Sequence, residues 1–129
     1  MSQGNGSVLV VEDDAEINAL VGAYAELCGL SYRSALDGTS GISEARSHPP
    51  SAVILDIMLP DIDGFEVCRR MRADPDLSRV PIIFLSALSG EKDIAHGREC
   101  GANAYLTKPF DPDKLIATLK EHAKNQSPR

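Results

Sequence analysis

The stretch Ala52-Val53-Ile54-Leu55-Asp56 decides the fold, because four apolar residues end abruptly in a carboxylate. A run this short, rich in aliphatic and β-branched side chains, is typical of a strand buried on both faces of a parallel sheet. Two runs of the same kind, Val8–Val11 and Val80–Leu85, lie on either side of it in the chain. Weaker candidates are Ser31–Leu36 and Ala104–Thr107, so we predict five strands.

Helical periods separate these strands. After the first strand, apolar side chains recur at helical spacing until Gly29, which marks the end of that helix; its predicted buried face is Ile17, Leu20, Val21, Tyr24 and Cys28. Further helices are predicted over Gly64–Ala73 and after Asp111, a typical N-cap before a proline. Thr39–Ser47 and Glu91–Cys100 have thinner apolar stripes and complete the set.

The strict alternation of strand and helix predicts an α/β fold: a doubly wound, three-layer sandwich with a five-stranded parallel sheet between two layers of helices. A chain of 129 residues fits one domain of this kind. We place the domain at residues 7–124, after a flexible N-terminus at 1–6. Residues 125–129 are polar and are predicted to be a tail or the start of a linker.

Composition excludes several classes of protein. Thirteen Lys and Arg against 19 Asp and Glu give a net charge of −6, so we expect no direct nucleic-acid partner. No apolar run is long enough to span a membrane. Three cysteines without paired spacing, and histidines without metal-ligand spacing, predict reduced thiols and a cytoplasmic location. A small basic patch at Arg69, Arg70 and Arg72 is interpreted as a solvated helix face.

Polar residues follow four of the predicted strands. In a doubly wound sheet, ligands bind beyond the carboxyl ends of the strands. The residues found there are Glu12-Asp13-Asp14, Asp56, Ser86-Ala87 and Thr107-Lys108-Pro109. Two carboxylates about 4 Å apart repel by roughly 4 kcal/mol at an effective dielectric of about 20, and Mg²⁺, which prefers oxygen ligands, relieves this. An ammonium and a hydroxyl complete a set typical of phosphoryl transfer.

A simpler interpretation is that the acids after the first strand only cap the next helix and favour its dipole. That explanation accounts for Glu12, Asp13 and Asp14 alone. It does not account for Asp56 directly after an apolar strand, or for Lys108 after another. We therefore favour a shared site.

Four sequence strings resemble the receiver domains of bacterial two-component response regulators. They are Val10-Val11-Glu12-Asp13-Asp14, Leu55-Asp56-Ile57-Met58-Leu59-Pro60-Asp61-Ile62-Asp63-Gly64, Ile82-Ile83-Phe84-Leu85-Ser86-Ala87 and Gly101-Ala102-Asn103-Ala104-Tyr105-Leu106-Thr107-Lys108-Pro109-Phe110. The resemblance extends from about Ser7 to Ala123. It implies a flavodoxin-like (βα)5 fold with the strand order 2-1-3-4-5.

The resemblance also implies roles for individual residues. Asp56 would be the phosphoacceptor, taking its phosphoryl group from a sensor histidine kinase or a histidine phosphotransfer protein. Asp13 and Asp14 would hold Mg²⁺ (or Mn²⁺), together with Asp56 and the backbone carbonyl of Met58. Lys108 would neutralise a phosphoryl oxygen.

The same resemblance makes Ser86 and Tyr105 a switch pair, in which Ser86 bonds the transferred group and the aromatic ring turns inward. Residues at the edge of the site would be Glu12, Ala87, Leu88 and Pro109, the last permitting a cis peptide bond. In the family, the side chains at the positions of Met58 and Leu88 influence how easily water attacks the aspartyl phosphate. Both are apolar here and cannot readily orient a water, so we predict slow loss of the phosphoryl group. The output would be read by an effector or output domain on the surface formed by the fourth helix, fifth strand and fifth helix; phosphorylation-dependent dimerisation there is left open.

The predicted function is a phosphoacceptor signalling switch, not an enzyme beyond catalysing its own phosphorylation and slow dephosphorylation. One alternative is a scaffold of the same fold that is never phosphorylated. The intact acid set argues against it. A phosphohydrolase of the haloacid-dehalogenase type would need a second acid where Met58 stands. A nucleotide- or flavin-binding module would need a phosphate loop where Glu12, Asp13 and Asp14 stand.

Overall fold

The computed structural model describes residues 6–124, so the N-terminal residues 1–5 and the predicted tail at 125–129 lie outside the described part. Strands and helices alternate throughout. The elements are β1 (Ser7–Val11), α1 (Ala15–Leu27), β2 (Ser31–Ala35), α2 (Gly38–Ser47), β3 (Ala52–Leu55), α3 (Gly64–Ala73), β4 (Ile82–Ser86), α4 (Glu91–Glu99), β5 (Ala104–Thr107) and α5 (Pro112–Lys124).

The strands form one parallel sheet in the order β2-β1-β3-β4-β5, which confirms the predicted topology. The three central strands are almost wholly buried, since helices cover both faces. The edge strands β2 and β5 are half exposed. This difference explains why the central strands have unbroken apolar sequences while the edge strands were weaker candidates.

Two apolar cores lie on opposite faces of the sheet. Successive residues of a strand point to opposite faces, so Leu9 and Val11 join one core while Val8 and Val10 join the other. The first core packs the sheet against α2 and α3, and the second packs it against α1 and α5. The predicted three-layer sandwich is therefore confirmed.

Some boundaries differ from the sequence prediction. The fourth strand begins at Ile82 rather than Val80, because the Val80 N–H donates to the Leu77 carbonyl in a turn (3.2 Å) and Pro81 has no N–H. On α1, Leu20 is 48% exposed although it was predicted to face the core. The buried face of that helix is rotated toward Asn18, Val21 and Ala25, so a polar residue occupies part of it.

The helix end predicted at Gly29 is confirmed, and Gly101 marks a second one. Gly29 and Gly101 adopt positive φ angles of 83° and 101° just after α1 and α4. Asp111 precedes α5, and its carboxylate accepts a hydrogen bond from the Asp113 N–H at 2.9 Å. Within residues 6–124, no helix has both the length and the apolar character needed to cross a membrane.

Candidate functional site

Asp56 stands at the carboxyl end of β3, in the centre of the sheet, and is only 5% exposed. Its own N–H donates to the Val11 carbonyl, which extends the pairing of β3 with β1 by one residue. One carboxylate oxygen, Oδ1, accepts from the Met58 N–H at 3.2 Å, and Oδ2 accepts from the Lys108 ammonium at 2.9 Å. The strand ladder therefore fixes the carboxylate at the sheet edge where ligands of this fold bind.

Lys108 reaches the same place from the end of β5. Its Nζ donates to Oε1 of Glu12 at 2.5 Å and to Oδ2 of Asp56 at 2.9 Å. Burial lowers the pKa of Lys108, but the hydrogen bonds and charges of Glu12 and Asp56 outweigh it, so the pKa is raised overall. The peptide bond to Pro109 is cis, as the family resemblance implied. Lys108 is thus a permanent positive charge at the site.

Glu12 is 4% exposed and directly follows β1. Burial raises the pKa of Glu12, opposed by the hydrogen bond from Lys108 and by that from the Asp14 N–H, while the neighbouring charge of Asp56 raises it further. The charged form of Glu12 is therefore disfavoured mainly by burial, and its contacts with Lys108 and the Asp14 N–H offset part of that cost.

The acidic cluster consists of Glu12, Asp13 and Asp56, each with a carboxylate oxygen within 4.8 Å of the others. Glu12 and Asp56 are buried, whereas Asp13 is exposed and opens the cluster to solvent. Three carboxylates face one ammonium, Lys108. Oxygen ligands with excess negative charge and one open side fit a hard divalent cation such as Mg²⁺.

Asp14 does not belong to this cluster, which corrects its prediction as a metal ligand. Its Oδ1 accepts hydrogen bonds from the N–H groups of Glu16 (3.0 Å) and Ile17 (3.2 Å), so Asp14 is the N-cap of α1. Glu12, which was predicted only as a residue at the edge of the site, belongs to the acidic cluster in place of Asp14. The sequence contained a usable signal, because an acid three residues before Ile17, the first apolar residue of the helix, has N-cap spacing.

Ser86 and Tyr105 meet at one backbone turn beyond β4. The Ser86 hydroxyl is buried and accepts from the Leu88 N–H at 3.3 Å, and the Tyr105 hydroxyl donates to the Leu88 carbonyl. The Tyr105 ring also lies 5.8 Å from that of Phe84. Burial, aided by the charges of Asp93 and Asp56, raises the pKa of Tyr105 to about 12. The two predicted switch residues are therefore joined through Leu88.

Two further predicted edge residues, Ala87 and Leu88, directly follow β4, and Met58 lies two residues after Asp56. Ala87 is exposed and Leu88 is half-buried. Met58 is 59% exposed, and only its N–H is engaged by Asp56.

The sequence analysis did not identify Asn18 as part of the site. Its buried amide group donates to the carbonyls of Val10, Glu12 and Ala35 at 3.0–3.2 Å, and its oxygen accepts from the Tyr32 hydroxyl. Asn18 therefore holds the backbone from which Glu12 projects. The sequence signal for this role was weak. It consisted of a polar residue, Asn18, next to the apolar Ile17 on a predicted amphipathic helix.

Comparison with known proteins identifies the family. The profile of the response regulator receiver domain family matches residues 8–120. The chain is 42% identical over 120 residues to the transcriptional regulatory protein GltR of Pseudomonas aeruginosa, covering 93% of this chain and 50% of that protein. It is 38% identical over 113 residues to the DNA-binding dual master transcriptional regulator RpaA of Synechocystis, covering 88% and 47%. The chain thus spans about half the length of these relatives.

Solved structures agree. The receiver domain of the Francisella response regulator 1452 superposes with a TM-score of 0.88 at 29% identity, covering 95% of this chain and all of that one (100%). The receiver domain of the sensor histidine kinase PA1611 from P. aeruginosa, solved with a magnesium ion coordinated in its active-site cleft, gives a TM-score of 0.85 at 29% identity, covering 93% and 98%. The chain belongs to the response regulator receiver domain family.

Proposed function

We propose that this receiver domain is a phosphoacceptor switch that takes a phosphoryl group on Asp56 in a Mg²⁺-dependent step. The observation that carries the proposal is the position of Asp56, buried at the central sheet edge between the Lys108 ammonium at 2.9 Å and the carboxylates of Glu12 and Asp13. In that position an opposite charge and a metal site flank one carboxylate, which suits transfer of a multiply charged group.

The residues proposed to hold the metal are Asp13 and Asp56, with Glu12 beside them and the Met58 carbonyl as a backbone ligand. The excess negative charge of the acidic cluster supports this assignment, as does the magnesium ion in the cleft of the PA1611 receiver domain. When bound, Mg²⁺ would neutralise carboxylate and phosphoryl charge. Asp14 is not part of the proposed set, because its carboxylate caps α1.

The proposed transfer forms a bond between an Asp56 carboxylate oxygen and phosphorus while the phosphorus–nitrogen bond of a phosphohistidine breaks. The electron pair of that bond returns to the imidazole nitrogen of the donor. The new group adds about 1.5 to 2 negative charges. Lys108 already lies against Asp56 and would pair with a phosphoryl oxygen. The phosphohistidine belongs to a sensor histidine kinase or a histidine phosphotransfer protein.

The proposed readout begins at Ser86. Its hydroxyl would turn from the Leu88 N–H toward the phosphoryl group, and the turn that holds the Tyr105 hydroxyl would follow. Tyr105 lies on β5 and contacts the α4 side, since a Cβ at Gly97 would come within 3.2 Å of its ring. We propose that the α4-β5-α5 surface then changes and regulates an effector or output domain, either as a monomer or through a phosphorylation-dependent dimer. The transcriptional relatives, about twice this length, illustrate one such arrangement.

The direct test is the intact mass of the protein after incubation with acetyl phosphate, with Mg²⁺ and with excess chelator. We expect one added phosphoryl group that requires Mg²⁺ and is absent from Asp56→Asn. The matched control is Asp63→Asn, an exposed acid of the same loop that caps α3 through the Glu66 N–H (2.9 Å), since asparagine caps equally well. It should be phosphorylated normally.

Each outcome is decisive. No mass gain in the wild type, either from acetyl phosphate or from a phosphorylated histidine phosphotransfer protein, would favour the unphosphorylated scaffold. A gain that persists in Asp56→Asn would mean that another residue is the acceptor.

A further inference from the structure

The acceptor loop, defined here as residues 56–63, connects the phosphoacceptor at the end of β3 to α3. Its two ends are fixed by the backbone. The N–H groups of Leu59 and Gly64 both donate to the Ile57 carbonyl, at 3.1 and 2.8 Å. A Cβ at Gly64 would lie 2.3 Å from the Asp56 carbonyl oxygen, so the start of α3 packs directly on the acceptor backbone. Between these ends, Leu59 and Ile62 pack partly buried against the core, and the exposed carboxylate of Asp61 adds a polar contact to the middle of the loop.

Asp61 supplies that contact by reaching across to α2. One carboxylate oxygen accepts from the Gly38 N–H at 2.8 Å. The other accepts from the Thr39 N–H at 2.8 Å and from the Thr39 hydroxyl at 2.6 Å. Three short donors therefore meet one carboxylate, and all of them lie in the first turn of a different element.

The charge of Asp61 is well accommodated. The hydrogen bond from the Thr39 hydroxyl, followed by those from the Thr39 and Gly38 N–H groups, lowers the pKa of Asp61 far below its usual range despite some opposing desolvation. The N-terminus of α2 also favours a negative charge through the helix dipole. The contact is thus a charge-assisted one, stronger than a neutral hydrogen bond.

α2 has a cap of its own. Asp37, the residue directly before the helix, accepts from the Ser40 N–H at 2.7 Å. Asp61 is a second carboxylate at the same helix end. Because Asp37 already caps the helix, the role of Asp61 there is to connect the acceptor loop to α2. Its main consequence falls on the loop, because the helix is already anchored by its other packing contacts.

We infer that Asp61 is a positioning residue for the phosphoacceptor site, which holds the acceptor loop against α2 so that the Met58 backbone and the Asp56 carboxylate keep their metal-binding arrangement. This inference rests on the proposed function and deepens it. Asp61 lies three residues after Met58, and it touches neither the acceptor nor the acidic cluster in the contacts described for residues 6–124. Removal of groups that hydrogen-bond directly to metal ligands commonly changes metal affinity by about tenfold or more, and because Asp61 acts through the loop backbone we expect an effect at the lower end of that range.

The experiment compares four variants by calorimetric titration with Mg²⁺ and by chemical unfolding without Mg²⁺; the fourth, Asp61→Asn, keeps a carbonyl acceptor. Asp61→Ala removes the connection from the loop side, and Thr39→Val removes the hydroxyl donor from the α2 side. Asp37→Ala is the matched control, because it removes a carboxylate from the same helix end without touching the acceptor loop. The rate of phosphorylation by acetyl phosphate at saturating and at limiting Mg²⁺ is a second readout.

We expect Asp61→Ala to raise the Mg²⁺ Kd about tenfold, with Thr39→Val shifting it in the same direction by less. The phosphorylation rate of Asp61→Ala should fall at limiting Mg²⁺ and recover at saturating Mg²⁺. Asp61→Asn, which keeps a carbonyl acceptor, should restore part of the affinity. Asp37→Ala should leave the Kd within about twofold while lowering the denaturant midpoint of unfolding, because α2 loses its own cap.

Equal Mg²⁺ affinity in Asp61→Ala and Asp37→Ala would overturn the inference, as would a loss of stability in Asp61→Ala without a change in Kd. Either result leaves the proposed function standing if the wild type is phosphorylated on Asp56. A wild type that neither binds Mg²⁺ nor gains mass would instead refute the proposed function itself, and the inference with it.

Discussion

A half-buried cation lies at each end of the sheet, and the two cations have different hydrogen-bond partners. At the carboxyl end, Lys108 contacts two of the three carboxylates in the acidic cluster. At the amino end, Arg72 of α3 donates only to neutral oxygens, at 2.8–3.2 Å: the carbonyls of Gly101, Leu77 and Val80 and the side chain of Asn103. Burial accordingly lowers the pKa of Arg72, whereas the pKa of Lys108 is raised.

This difference in partners separates a cation with a structural role, Arg72, from a cation at the proposed functional site, Lys108. Arg72 joins α3 to the segments that lead into β4 and β5, and four of its five N–H donors have an acceptor there. The network around Lys108 has excess negative charge and becomes balanced only when a cation arrives. We therefore expect changes at the amino end to reduce stability, and changes at the carboxyl end to reduce metal binding and phosphorylation.

The largest expected effect on stability comes from Arg72→Met. Loss of the guanidinium leaves the Leu77, Val80 and Gly101 carbonyls without this donor, which should lower the unfolding free energy by about 3 kcal/mol. Urea denaturation measures it. Arg70→Met is the control, because its ion pair with Glu66 is solvent-exposed and should contribute little to stability. Similar losses in both variants would show that the Arg72 network stabilises the fold no more than an exposed ion pair does.

Mg²⁺ should stabilise the protein through the carboxyl end. A ligand that binds only the folded state adds about 2.7 kcal/mol at a concentration of 100 times its Kd. We expect that stabilisation in thermal unfolding of the wild type and its near-disappearance in Asp13→Asn. Asp14→Asn should retain it, because asparagine is an equally good N-cap and Asp14 lies outside the acidic cluster. Loss of the Mg²⁺ effect in Asp14→Asn instead would restore the original ligand prediction.

The lifetime of the phosphoryl group tests the apolar rim of the carboxyl end. Met58→Asn introduces a group that can orient a water, and one hydrogen bond of about 1 kcal/mol corresponds to about fivefold faster dephosphorylation. The decay of the phosphorylated mass over time measures the rate. Leu27→Asn, at an exposed apolar residue of α1, should decay like the wild type. An unchanged rate in Met58→Asn would contradict the predicted role of this position.

The smallest expected effect concerns Tyr105. Because the folded pKa is raised to about 12, the protonated hydroxyl stabilises the fold at neutral pH, and this contribution is lost as the pH rises from about 10 through 12. Tyr105→Phe should cost about 1 kcal/mol at pH 8 through the lost hydrogen bond to Leu88, and less at pH 11.5. Denaturation at both pH values, with Tyr24→Phe as control, measures the difference. A cost independent of pH would show that the hydroxyl titrates normally.

Much of the carboxyl end was predictable from the sequence. Asp56 and Lys108 directly follow predicted strands and Ser86 ends another, and parallel strands end at one edge of the sheet. The amino end was not predictable in the same way. Arg72 was interpreted as part of a solvated patch, since an arginine on a helix carries no local sign that four carbonyl and amide oxygens will surround it.

Within the site, the prediction failed where the direction of a side chain mattered. Glu12, Asp13 and Asp14 are consecutive, and composition does not separate them. The backbone turns into α1 at Asp14, which commits that carboxylate to the helix N–H groups, while Glu12 is still within reach of Lys108. Asn18 and Asp61 were missed for a similar reason, because their partners lie on β2 and α2, far away in sequence.

The order of elements, the central strands and the place of Asp56 at the end of β3 follow from local patterns, since strand and helix periodicity and the positions of strand ends are properties of short segments. The membership of the acidic cluster, the structural role of Arg72 and the connection from Asp61 to Thr39 were decided by tertiary structure. Hydrogen bonds and charge pairs act over a few ångströms in space, and which groups come that close depends on how the distant segments pack.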